Sequence, residues 1–237
     1  MSATGIFPVG YSAGTLFVIH VISREDSPTP VHGVTTSGVS WTQIGSTRFL
    51  DIGTTGIALS NWYRFAASGA ETAPAVTCPT PTTLAAIIAG YNGVDQTTPL
   101  DGVTPTGGTN AAATTLQPGG GTGITTATAN AWVVNCVCTP DDNQLTQLID
   151  NGFAHNYFGT SYQSAALTDW SAGSSWQQKA TPGNVTGPTW NQDLNGADEW
   201  AWQMFVLRPA GGGPPAAIGE DPLVVGQGAS LQRASNW

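Results

Sequence analysis

The chain has 237 residues, of which 9% are charged, and 15 acids against 6 bases leave a net charge of −9. Six scattered Lys and Arg cannot build the basic stripe that phosphate neutralisation needs, so nucleic-acid binding is excluded. Gly, Thr, Ser and Ala are abundant, and a chain of this length buries enough surface to hold a core without metals or disulfides.

In chain order, Gly10-Tyr-Ser-Ala-Gly14 matches the string of a nucleophile elbow, but a strand follows it where the elbow needs a helix. Thr15-Leu-Phe-Val-Ile-His-Val21 is apolar on both faces and predicts a central strand. Ile57 to Phe65 predicts a second long strand, Ala75 to Cys78 a short one, and Leu84 to Tyr91 a central apolar one. Asn92-Gly93 marks a turn that needs positive φ, and Asp95 is placed to accept backbone hydrogen bonds just after it. The Gly/Thr-rich stretch 105–126 predicts a linker or extended loop. Further strands are predicted from Ala131 to Val137, weakly from Ser161 to Thr168, and from Trp200 to Leu207. A short helix is expected over Asp141 to Ile149, capped by Asp141 or Asp142.

The chain also echoes itself. Ala131-Trp-Val-Val-Asn-Cys-Val137 lies 116 positions after Thr15 to Val21, and Asp198 to Met204 lies 116 positions after Thr82 to Ile88. Trp41-Thr-Gln-Ile-Gly45 resembles Leu145-Thr-Gln-Leu-Ile149 at a shorter offset of 104. The expectation is an all-β β-sandwich at 1–209 with an internal pseudo-twofold repeat, to which the resemblance given below adds a jelly-roll-like topology. Its halves run from about 10–104 and 127–209, and 210–237 forms an extended C-terminal arm.

That arm opens on Gly211-Gly-Gly-Pro-Pro215, a flexible spacer, and then carries Leu223, Val224, Val225, Leu231 and Trp237. Apolar residues on a detached arm predict docking on another surface. Of the nine Trp, Trp41, Trp62, Trp132, Trp200 and Trp202 fall in alternating strands and read as core. Trp170, Trp176 and Trp190 sit in a loop-rich region and read as a candidate exposed aromatic contact face.

Little catalytic chemistry is visible. The acid pairs Asp95 and Asp101, Asp141 and Asp142, and Asp198 and Glu199 would make a glycosidase only across a cleft. His20, His32 and His155 are isolated in sequence, so no metal site is expected. Cys78, Cys136 and Cys138 read as small buried hydrophobes of a reducing compartment, because a bridge between two cysteines of one extended C-x-C would be strained. Arg64 and Arg208 are expected to pair with acids such as Asp95 or Asp101 at sheet ends. No apolar run is long enough to span a bilayer, and no signal peptide is evident, so synthesis in a cytoplasm without export is expected. No catalytic residue, metal or cofactor is assigned.

One resemblance is carried by residues in order: Ile22-Ser23-Arg24, Ser40 to Ile44, Trp62-Tyr-Arg64, Ala86 to Asp95 with its Gly90-Tyr-Asn-Gly-Val-Asp95 turn, Pro99-Leu-Asp101, Thr126 to Val134, and a close on Val206-Leu-Arg-Pro209. Over about residues 10–209 the chain resembles a jelly-roll domain of tailed-bacteriophage virion structural proteins, of the head decoration or minor tail type. Residues 153–190 depart from that pattern, with added aromatics at Phe153, Tyr157, Phe158, Tyr162, Trp170, Trp176 and Trp190. The resemblance implies a non-enzymatic virion protein, assembled in the host cytoplasm. It implies a capsid decoration (cement) protein first, and as alternatives a tail or collar accessory protein or a tail-tip module binding host glycan. The implied partners are other virion proteins, the major capsid protein or tail proteins, and further copies of the chain, with no nucleic acid and no membrane.

Overall fold

A computed structural model of the chain describes residues 2–4, 7–25, 30–51, 56–79, 81–140, 144–149, 151–161, 169–192 and 197–211. The fold is all-β, and the one helical element among these residues is a 3-10 turn at Pro118–Gly121. The arm residues Leu223, Val224, Val225, Leu231 and Trp237 lie outside the described residues, as do Asp141, Asp142, Tyr162 and residues 162–168 of the weak strand.

The first half supplies β1 (Ser2–Thr4), β2 (Leu16–Glu25), β3 (Gly33–Thr36), β4 (Val39–Ser40), β5 (Thr42–Leu50), β6 (Gly56–Phe65), β7 (Ala75–Thr77) and β8 (Pro81–Tyr91). The second supplies β9 (Thr106–Ala113), β10 (Thr115–Leu116), β11 (Ile124–Thr126), β12 (Ala131–Thr139), β13 (Leu145–Ile149), β14 (Ala154–Ser161), β15 (Trp170–Lys179), β16 (Gly183–Val185), β17 (Thr189–Gln192) and β18 (Asp198–Leu207).

Two large antiparallel sheets, ordered β5-β6-β2-β8 and β14-β15-β12-β18-β9, carry the fold. Smaller sheets ordered β1-β7-β3-β4 and β10-β17-β13, with the pair β11-β16, complete it. The strand order repeats: β5, β6, β2 and β8 stand in the first large sheet as β14, β15, β12 and β18 stand in the second, and β1-β7-β3 matches β10-β17-β13. The offset of 116 survives in the pairing itself, for Leu16 faces Tyr91 and Trp132 faces Leu207. The offset of 104 does not survive. Thr42–Leu50 edges a large sheet, whereas Leu145–Ile149 pairs with β17 in a small one.

Side-chain alternation assigns the layers. On β2, Phe17, Ile19 and Val21 meet Val34 of β3 and Val76 of β7, so this face packs on the first small sheet. The alternate residues Leu16 and Val18 meet Trp132, Val134, Phe205 and Leu207, and Ile22 meets Cys136, Cys138 and Trp170. The two large sheets therefore face each other. On the far side, Val133 and Met204 meet Ile124 and Val185, while Val137 and Trp200 meet Leu116, Leu145 and Trp190 of the second outer layer. Strands β2 and β12, buried on both faces, read as near-continuous apolar runs for that reason.

Two expectations are corrected. Residues 105–126 are not a linker: β9 pairs with β18, β10 with β17 and β11 with β16. The Thr, Gly and Ala of β9 have weak strand propensity of their own, and pairing with β18 overrides it. The helix expected over Asp141 to Ile149 is not formed where the chain is described, because Leu145–Ile149 pairs antiparallel with β17. Pairing to an open edge outweighs a helix too short to stand alone.

One tight turn has a measurable consequence. Gly123 has φ of +68°, and a Cβ there would lie 1.9 Å from the Val185 carbonyl oxygen of the neighbouring strand. Gly123→Ala is expected to cost more than about 2 kcal/mol and to lower the melting temperature by at least about 5 °C. A thermal melt of the variant measures it.

Candidate functional site

The most concentrated polar chemistry lies between the two large sheets. His20, at the middle of β2, is fully buried at 0% exposure, as are Asn61 of β6, Ser174 of β15 and Gln203 of β18. These residues share one tier: His20 pairs with Asn61 in the first sheet, while Cys136 pairs with both Ser174 and Gln203 in the second. By the 116 offset, Cys136 is the counterpart of His20.

The hydrogen bonds run in one direction. Gln203 donates through Nε2 to the Ile44 carbonyl at 3.1 Å, and its Oε1 accepts from Asn61 Nδ2. Asn61 Oδ1 then faces His20 Nδ1, which must carry the proton and donate. His20 Nε2 is left to accept from the Ser174 hydroxyl at 2.9 Å. The network therefore spans β15, β2, β6, β18 and β5 and stitches the two halves together. Burial lowers the His20 pKa from 6.5 to about 4, with the hydrogen bond to Asn61 opposing the shift, so the imidazole is neutral at pH 7.

Ser174, His20 and Asn61 have the order of a nucleophile, base and orienter. All three are at 0% exposure beside Ile87, Cys136 and Phe205, so the Ser174 hydroxyl is closed off from solvent. The arrangement is a joint, and fully satisfied networks of this kind fix register between layers. A second joint lies at one end of the sheets, where buried Arg24 donates through Nη1 to the carbonyls of Pro140 and, at 2.9 Å, of Asp169 in the other half. A second histidine, His32, makes contacts with Ser23 at 2.7 Å and with Ser60 at 2.6 Å.

The turn residues lie at the opposite end. Asn92 accepts from the Thr15 hydroxyl at 2.8 Å, and Gly93 has φ of +68°. Asp95 accepts from the backbone N–H groups of Thr97 at 2.8 Å and Thr98 at 3.0 Å, which hold its carboxyl below the usual range. Asp101 is fully buried, accepts from the N–H groups of Ala127 and Thr128, and stands 3.8 Å from Arg208 Nε. Arg64 pairs with Glu71 instead of with Asp95 or Asp101, because Arg64 stands near the end of β6 and Glu71 lies on the turn that leaves it.

The expectation of an exposed Trp face is corrected. Trp170 is 1% exposed and lies between the large sheets, and Trp190 is 0% exposed under the outer sheet. Trp176 is half-buried and packs edge-on against Trp132 with ring centroids 4.6 Å apart. The cause is β15 itself. Its Ser171, Ala172, Gly173, Ser174 and Ser175 are small enough for layers to close over both faces, and the Trp190 ring sits directly on Gly173.

Cys78, Cys136 and Cys138 form no disulfide and are buried, and desolvation pushes the thiols of Cys136 and Cys138 up. A water-soluble thiol reagent is expected to label none of the three in the native protein and all three in denaturant. Among the described residues no group of His, Cys, Asp and Glu could hold a metal ion, and no helix is long and apolar enough to cross a membrane.

No family model matches the chain, and no curated protein or solved structure matches it.

Proposed function

We propose that this chain is a non-enzymatic bacteriophage virion structural protein, and specifically a capsid decoration (cement) protein that binds the head lattice and neighbouring subunits. One observation carries the reading: the nucleophilic and basic groups of the described core, His20, Ser174, Arg24 and the three cysteines, are buried in joints between strands and layers. What faces solvent on the described strands is chiefly Thr, Ser, Gly, Ala and Asn, a surface suited to packing against protein. The jelly-roll topology belongs to the same reading, through the ordered residues from Ile22 to Pro209 that carry the resemblance.

Repetition over a lattice makes weak individual contacts effective, and an arm such as 210–237 would add apolar area and strand-edge hydrogen bonds on a neighbour. Tail or collar attachment is the second reading. It draws on the same resemblance and differs in the surface bound. Full-length protein added to particles lacking it is expected to bind saturably, and a chain ending at Pro209 to bind at least about tenfold more weakly. Equal binding by the two would remove the arm from the account, and no binding by either would remove decoration.

A further inference from the structure

Strand β9 ends the second large sheet and pairs with β18 alone among the described strands. Its sequence Thr-Gly-Gly-Thr-Asn-Ala-Ala-Ala contains no charge and no proline, and Thr109 to Ala112 are exposed. Sheet edges are normally blunted by charge, proline or a covering element. Here the edge of β5 carries Arg48 and that of β8 begins at Pro81, whereas β9 has neither device, and its bulge lies beyond Asn110, opposite Glu199. The run from Thr106 to Asn110 therefore offers a regular, uncharged row of backbone groups.

Charge lies beside this edge in an uncompensated form. Arg48 reaches from β5 across the inner face of Gly107, where a Cβ would stand 2.6 Å from its Nε. That Nε is buried without a hydrogen-bond partner, and no described carboxylate lies within ion-pair distance of the guanidinium. Glu199, half-exposed on β18, shares the inner face with Gln203 by strand alternation, near the other end of β9.

The geometry points to a second copy of this chain as the occupant of this edge, added antiparallel through β9 about a twofold axis near Thr109. The two five-stranded sheets then become one continuous sheet, and each Arg48 is brought to the level of the partner's Glu199. Two strand spacings, about 10 Å, separate the Gly107 backbone, over which the Arg48 guanidinium lies, from the backbone of the partner's Glu199, a gap that the two side chains span together. The contact is isologous, so one patch serves both copies and the assembly closes. On the outer face the half-buried Trp202, whose Nε1 donates to Asn110 at 3.0 Å, gains cover beside Gly108.

The inference supplies an interface for the self-assembly part of the reading above, and its test needs no particles. Light scattering of the full chain from ~1 to ~100 µM is expected to show the mass doubling. Thr109→Lys sets two lysines opposite each other across the axis and is expected to leave a monomer throughout. Arg48→Glu and Glu199→Arg are each expected to weaken association at least about fivefold, and the double variant to restore it. A monomer at every concentration overturns the inference, as does a dimer that Thr109→Lys leaves intact, or one lost only when 210–237 is removed. A chain that binds particles and stays monomeric refutes the pairing and leaves the decoration reading standing.

Discussion

Between pH 6.5 and 4 the fold is expected to lose about 3 kcal/mol of stability through His20 alone. Burial lowers the folded-state pKa of this residue from 6.5 to about 4. As pH falls, the unfolded chain therefore takes up the proton first, and the unfolded state is favoured. The full contribution is present above 6.5, declines through the window and levels off below about 4.

Geometry gives the same sign. A proton on Nε2 replaces an acceptor by a donor facing the Ser174 hydroxyl, which must then reorient. The groups around the ring are Asn61, Ile87, Cys136, Ser174, Gln203 and Phe205, none of them an anion, and the ionisable Arg24 and Cys138 on the same face add no negative charge at these pH values. Denaturant unfolding of the protein and of His20→Gln across pH 7 to 4 isolates the effect from the carboxylates, which titrate in both. The difference between the two curves should grow by about 3 kcal/mol. Parallel curves would mean that His20 is already charged or solvated in the folded protein.

The second large effect is at Trp190. Trp190→Ala is expected to cost about 3–5 kcal/mol, because the ring is fully buried among Leu116, Val137, Leu145 and Trp200. A surface platform for a ligand would instead lose binding with its stability unchanged. Gly173 provides an internal check. Gly173→Ala would place a Cβ 2.6 Å from the ring, so it should destabilise the native protein and cost much less once Trp190 is Ala. Chemical denaturation of the two single variants and the double variant reads this coupling. Additive costs would place the ring elsewhere.

What the sequence discloses about this fold follows burial. Strands β2, β8, β12 and β18, apolar on both faces, are legible as runs of Val, Ile, Leu and aromatics, and their offset of 116 reappears in the observed strand pairing. Strands β9 and β15 are not legible, since Thr-Gly-Gly-Thr-Asn-Ala and Trp-Ser-Ala-Gly-Ser-Ser carry no period-2 signal. Their strand state is imposed by β18 and β12. The same small residues concealed the burial of Trp170 and Trp190, because a loop-like composition is also what lets layers approach closely. The polar joint was missed for another reason. His20, Asn61 and Gln203 are far apart in the chain, and their one shared signal is a polar residue at a buried parity of an otherwise apolar strand.

The central functional claim, a virion subunit placed on the head lattice, is tested most directly by immunogold labelling of intact particles with antibody raised against residues 1–209. Label spread evenly over the head is the predicted result. Label confined to the tail would contradict decoration and select the accessory reading, and particles that carry no label would contradict the virion assignment itself.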